Sequence, residues 1–161
     1  MKKARLYLFL IFLFLLSSCS KILTSAVDLS ATEKEAVYHI LKDVSYGSDV
    51  EQVMDIYLSK KAKSFGKRNY TIVFLHGGGY YLSDKNQEER YIEPYLKKGL
   101  NVVNLNYRLK RGIPLATSDL TNALNFLNAN NADYELNLKN VVVSGFSAGA
   151  HIATNVGFAQ N

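Results

Sequence analysis

Apolar positions along the chain fall into short runs, separated by polar stretches that contain glycine, asparagine or serine. The first run, residues 6–16, is 11 residues long and unbroken, too short to cross a bilayer comfortably. Residues 21–38 are polar and mixed and read as a tether, with a short helix from Thr32. Residues 40–46 alternate as a strand does, Gly47, Ser48 and Asp49 make a turn, and residues 53–58 form a second strand. Residues 60–69 are a charged loop. Residues 70–75 are apolar and β-branched, as a buried strand requires. Residues 86–98 have helical character, with Pro94 inside or splitting the helix and Gly99 as its stop. Residues 100–105 are the next strand. Ser118, Asp119 and Leu120 open a helix whose apolar face is Leu120, Ala123, Leu124 and Leu127, spaced by three and four, and Asn130 and Asn131 end it. Residues 141–143 are a central strand, and a helix runs from Ser147 through Ala150, Ile152 and Ala153. After the third strand, helices and strands alternate. That order predicts an α/β fold with a mostly parallel sheet and helices on both faces.

The chain has 161 residues, enough for one domain with a real core. The formal charge is +5, and Lys2, Lys3 and Arg5 supply three of those charges. No long basic stripe is left, so the sequence carries no nucleic-acid footprint. The cluster Lys60, Lys61, Lys63, Lys67 and Arg68 reads as a solvated loop. The histidines are scattered and Cys19 is the one cysteine. The sequence therefore implies no metal site, no cofactor and no internal disulfide.

The basic start, the apolar run and then Leu16, Ser17, Ser18 and Cys19 resemble a bacterial lipoprotein signal. That resemblance implies cleavage before Cys19 and acylation of its sulfur. Residues 1–18 would be a signal peptide, 19–38 a lipid-anchored tether, and 39–161 the domain. The expected location is the bacterial cell envelope, exported and held on a lipid bilayer through Cys19. An ordinary signal peptide or an uncleaved anchor are the alternatives.

Two glycine motifs carry candidate chemistry. His76, Gly77, Gly78 and Gly79 follow one predicted strand. Gly145, Phe146, Ser147, Ala148 and Gly149 follow another and precede a helix. The second is a nucleophile elbow, which lifts a serine out on a tight strand-to-helix turn. A glycine turn offers N–H groups with no side chain in the way. Ser147 is then the candidate nucleophile, Gly77, Gly78 and Ala148 the candidate oxyanion hole, and His76 a residue that orders the loop. Asp119 reads as a helix-entry residue in the first turn. Arg108 holds a loop through a carboxylate or carbonyls, or contacts an acidic substrate. Tyr80 and Tyr81 either wall the pocket or pack. His39 reads as a surface residue before the first strand.

With Met54-Asp55-Ile56-Tyr57-Leu58 and Asn106-Tyr107-Arg108-Leu109 between and before them, these motifs resemble the alpha/beta-hydrolase serine esterases of the hormone-sensitive-lipase-like and carboxylesterase group. The resemblance covers residues 40–160. It implies hydrolysis of small-molecule acyl or aryl esters, including acetyl esters on polysaccharides, through an acyl-serine intermediate. Such enzymes place an acid and then a histidine after the serine. Between Ser147 and Asn161 there is no Asp or Glu, and His151 sits one helical turn on, where it is structural. The expectation is a fold truncated after the elbow helix, with residues 141–143 as a bare apolar edge. A non-catalytic envelope lipoprotein, or a split hydrolase completed by a second chain that supplies strands and triad residues, are the alternatives.

Overall fold

The computed structural model describes residues 29–159, and the apolar run, Cys19 and the first half of the expected tether lie outside the described residues. From Leu29 onward the chain is already part of the domain. Ser30 caps helix α1 (Ala31–Val37) with a reciprocal bond to Glu33. The Leu29 N–H donates to Glu93 at 3.1 Å, and Lys34 pairs with Glu93 at 2.6 Å.

Five strands form one sheet in the order β1 (Tyr38–Ser45), β2 (Val53–Ser59), β4 (Asn101–Leu105), β3 (Thr71–Leu75), β5 (Val141–Gly145). β1 and β2 are an antiparallel hairpin at one edge, and β2 meets β4 antiparallel. β4, β3 and β5 are parallel and in step, so that Leu75 lies beside Leu105 on one side and Gly145 on the other. The sheet is therefore mixed, with its parallel part where the motifs sit. His39 lies inside β1, not before it, and is exposed.

The alternation of a strand sorts the core into two layers. Val73, Leu75, Val103 and Leu105 face α3 (Ile113–Ala129) and α5 (Ala148–Ala159) through Ala116, Leu120, Ala123, Leu127, Ile152 and Val156. Ile72, Phe74 and Val102 face the short α2 (Glu93–Lys97) through Ile92 and Leu96. From β3 the chain moves one strand one way to β4. It then returns past β3 to β5. Crossovers of one hand running in opposite directions must use opposite faces, which is why α2 and α3 lie on different sides.

Three elements depart from expectation. Residues 86–98 are not one helix. A 3-10 turn at Glu89–Tyr91 precedes α2, and Pro94 stands in its first turn, where its missing N–H costs nothing. α3 begins at Ile113, five residues before Ser118, because Gly112 (φ 88°) and Pro114 set its start. The charged loop folds into a 3-10 segment, Ala62–Arg68, and α4 (Asn131–Tyr134) follows α3.

Asp119 is thus in the body of α3 and not at its entry. It is fully buried, and accepts from the Arg108 side chain, from the Arg108 N–H and from Gln52 Nε2. Arg108 does hold a loop through a carboxylate, fixing the chain after β4 to α3. On the opposite face a polar ladder takes the place of a long helix. Lys85, 2 % exposed, pairs with Asp55 at 2.9 Å and with Asp43 at 2.8 Å. Burial pushes the Asp55 carboxyl up, but hydrogen bonds from the Asp43 N–H, Lys42 and Lys85 outweigh it and hold it below its ordinary value.

Removing one partner of a buried ion pair leaves the other charge uncompensated. Arg108→Ala should destabilise the fold by about 3–5 kcal/mol, read as a lowered midpoint in urea unfolding with an unchanged slope.

Candidate active site

In an open α/β sheet, ligands settle outside the carboxyl ends of the strands where the chain's direction of travel reverses. Here that point is between β3 and β5. The loop after β3 leads to the α2 face, and the loop after β5 leads to α5 on the other face. The two glycine motifs occupy these two loops.

The elbow needs both of its glycines. A Cβ on Gly149 would collide with the Leu75 and His76 carbonyls, and one on Gly145 would meet the Gly149 backbone at 2.5 Å. The first turn of α5 therefore presses directly on the end of β3, with the Phe146 N–H donating to Leu75 O at 3.1 Å. Ser147 between them adopts φ 51°, a conformation that costs a non-glycine residue about 1–3 kcal/mol. It is exposed at the N-terminus of α5, where the helix dipole favours negative charge. Ala148 is buried, and its N–H has no hydrogen-bond partner among the described residues.

The loop after β3 is held from below. His76 is buried and its ring stacks on Tyr107 at 4.4 Å. Its Nδ1–H donates to the Gly77 carbonyl at 2.8 Å, which fixes the tautomer. The Tyr107 hydroxyl donates to the His76 and Gly77 carbonyls at 3.0 and 3.1 Å. His76 and Tyr107 thus both hold the carbonyls of this loop. Gly78 (φ 94°) and Gly79 (φ 62°) take left-handed backbone, and a Cβ on Gly78 would strike Leu82 O.

One expectation is corrected. The Gly77 N–H is not open to an oxyanion, because it donates to Glu88 Oε2 at 2.8 Å. The N–H groups of this loop without a partner among the described residues are those of Gly78 and Gly79. Glu88 is brought there by Lys85 three residues earlier, whose N–H and carbonyl are bound by Asn106 and Asn104 at the end of β4.

The walls are aromatic. Phe146, 45 % exposed, stacks on Tyr91 at 4.6 Å, and Tyr91 stacks on Phe74 at 6.2 Å. Tyr80 shares a 2.6 Å hydrogen bond with His151 Nδ1, tying the glycine loop to α5, while Tyr81 points into solvent. No histidine ring is hydrogen-bonded to the Ser147 hydroxyl among the described residues; the His151 backbone N–H donates to the Ser147 carbonyl as the first turn of α5. His151 is engaged by Tyr80, His76 is buried beneath the loop, and His39 is on β1.

A nucleophile elbow beside a glycine loop at this sheet end defines an alpha/beta hydrolase. The chain belongs to the BD-FAE family of alpha/beta-hydrolase esterases, whose family model covers residues 54–161. Esterase B from Lactobacillus rhamnosis (HN001) superposes with a TM-score of 0.69 at 22% identity, over 99% of this chain and 50% of that one. A truncated carbohydrate esterase from gut microbiota does so with a TM-score of 0.62 at 26% identity, over 73% of this chain and 42% of that one. Endo-1,4-beta-xylanase B of Butyrivibrio fibrisolvens is 30% identical over 91 residues, 53% of this chain. The chain spans 14% of that relative's length and about half the length of Esterase B.

Two measurements test this geometry. Burial lowers the His76 pKa from 6.5, more than its bond to Gly77 and the nearby Glu88 raise it. The unfolded chain therefore takes up the proton first, so stability present above pH 6.5 should decline as the pH falls through that value toward the folded one. His76→Asn should remove that part of the slope in urea titrations at successive pH values. Separately, the bond from the Gly77 N–H to Glu88 Oε2 should hold the Gly77 amide proton downfield in two-dimensional NMR, and Glu88→Ala should move it upfield.

Proposed function

We propose that this chain carries the nucleophile and oxyanion half of a serine carboxylester hydrolase. Ser147 Oγ attacks the ester carbonyl carbon as a base takes its proton. The carbonyl oxygen gains the negative charge and is met by the N–H groups of Ala148, Gly78 and Gly79. The tetrahedral species collapses, the alcohol leaves with a proton, and an acyl-Ser147 remains. Water then attacks the same carbonyl, releasing the acid and restoring the serine hydroxyl. No cofactor enters. The observation that carries this reading is the left-handed Ser147 set at the start of α5, between two loops whose Ala148, Gly78 and Gly79 N–H groups have no hydrogen-bond partner among the described residues.

The base and its acid would come from chain outside residues 29–159 or from a second chain that pairs beside β5. β5 has β3 as its one strand partner among the described residues, with Val142 42 % exposed. Esters borne on carbohydrate are the favoured substrates, supported by the carbohydrate esterase and the xylanase the chain resembles. The Phe146–Tyr91 stack beside Ser147 supplies an apolar wall for the acyl group. We also propose export and lipid anchoring through Cys19, on the basic start, the apolar run and the small residues before the cysteine. That no histidine ring meets the Ser147 hydroxyl among the described residues favours one second reading, a non-catalytic envelope module that keeps the fold.

Incubation with a fluorophosphonate probe and peptide mapping should find the adduct on Ser147, with none in Ser147→Ala. Unlabelled protein that is folded by circular dichroism would favour the non-catalytic module. Without a base, ester turnover should not exceed about 10³–10⁴-fold over water.

A further inference from the structure

The loops at the end of the sheet opposite Ser147 collect positive charge. β2 ends there at Ser59, while β3, β4 and β5 begin there at Thr71, Asn101 and Val141. These connections are bound to one another. The Ser59 N–H donates to Asn101 Oδ1 at 2.8 Å, Thr71 N–H to Asn140 O at 2.9 Å, and Asn137 Nδ2 to Asn69 O at 2.7 Å. They present Lys60, Lys61, Lys63, Lys67, Arg68, Lys97, Lys98 and Lys139, all exposed. Three acids stand among them, Glu35, Asp133 and Glu135, and Glu135 is paired with Lys63 at 2.6 Å. Lys60 is turned onto the carbonyls of Glu35 and Ala36. The other six cations have no acidic partner among the described residues.

In the sequence the cluster 60–68 read as a solvated loop. The fold changes that reading by adding Lys97, Lys98 and Lys139 from two distant segments to the same face. The face is also where the described chain begins. Leu29 lines a hollow of about 130 Å³ with Val37, Lys61, Leu96, Lys97, Lys98 and Gly99. Cys19 precedes Leu29 by ten residues, so an acylated Cys19 holds this end within about 35 Å of the bilayer.

We propose that this basic end is a docking face for an anionic lipid surface, resting on the anchoring through Cys19 proposed above. The lipid anchor sets the distance from the bilayer, and a polybasic patch adds an electrostatic contact that fixes which face of the domain meets an anionic surface. Docked this way, the domain rests on the bases of β3, β4 and β5. Ser147, at the far end of β5, faces away from the membrane toward soluble or surface-borne esters.

The test uses the full chain, purified from bacterial membranes and reconstituted on vesicles of phosphatidylcholine alone or mixed with phosphatidylglycerol. Lysine acylation by an N-hydroxysuccinimide ester is mapped by mass spectrometry, with exposed Lys110 at the opposite end as the internal reference. Docking lowers labelling of Lys61, Lys97 and Lys98 about fivefold or more on the anionic vesicles, and high salt or Lys67→Glu with Arg68→Glu and Lys139→Glu, which leave the three labelled lysines in place, reverses it. Equal labelling on both vesicles, with the chain floating on both, overturns the proposal. So does protection by duplex DNA without protection by phosphatidylglycerol. A chain that fails to float with phosphatidylcholine overturns the anchoring reading instead. Flotation with phosphatidylglycerol vesicles that the charge reversals abolish then still supports the face, and its absence overturns it.

Discussion

The contact between the first turn of α5 and the last carbonyls of β3 sets the geometry of everything around it. Gly149 lies against Leu75 and His76 with no room for a methyl group. That approach brings the elbow alongside the glycine loop and leaves Ser147 in a left-handed turn. It also keeps Ala148 N–H and the Gly78 and Gly79 N–H groups on the same side of the sheet end. The in-step pairing of β3 with β5 makes the approach possible, because Leu75 and Gly145 finish level. A shift of one residue in that register would move the serine loop by about 3.3 Å and turn its side chains to the other face.

Much of this was legible in the residues. The β-branched runs, the glycine motifs directly after them and the apolar stripe of α3 predicted the strand–helix alternation and the place of Ser147. What escaped reading depends on side chains that meet across long separations. Nothing local marks Glu88 as the acceptor for Gly77, since its position comes from Lys85 and from asparagines on β4. Two clues were available for the rest. Asn104 stands between Val103 and Leu105 inside a buried strand, and a polar residue there needs a built partner. Gly112 with Pro114 two residues later is a stronger helix start than Ser118 four residues further on, because proline suits the first turn. Asp119 was misplaced for that reason.

The two faces of the sheet solve the same problem differently. On one, α3 and α5 bury leucines, isoleucine and valine, as periodicity alone allows. On the other, the short α2 leaves the top of the sheet to Asp55, Lys85, Asp43 and Lys42. This polar cover is costly to desolvate, but it fixes the loop that carries Glu88, and through it the peptide plane of Gly77. Orientation of the glycine loop thus depends on charges that never approach the serine.

The stacked rings of Phe74, Tyr91 and Phe146 have an optical consequence. The chain contains 11 tyrosines, 8 phenylalanines and no tryptophan, so its near-ultraviolet dichroism arises from tyrosine and phenylalanine and its emission is dominated by tyrosine. Tyr91 lies against Phe146, the residue immediately before Ser147, and Tyr80 is bonded to the helix that follows it. Two of the intrinsic chromophores therefore border the crevice, and occupancy there is visible in unlabelled protein.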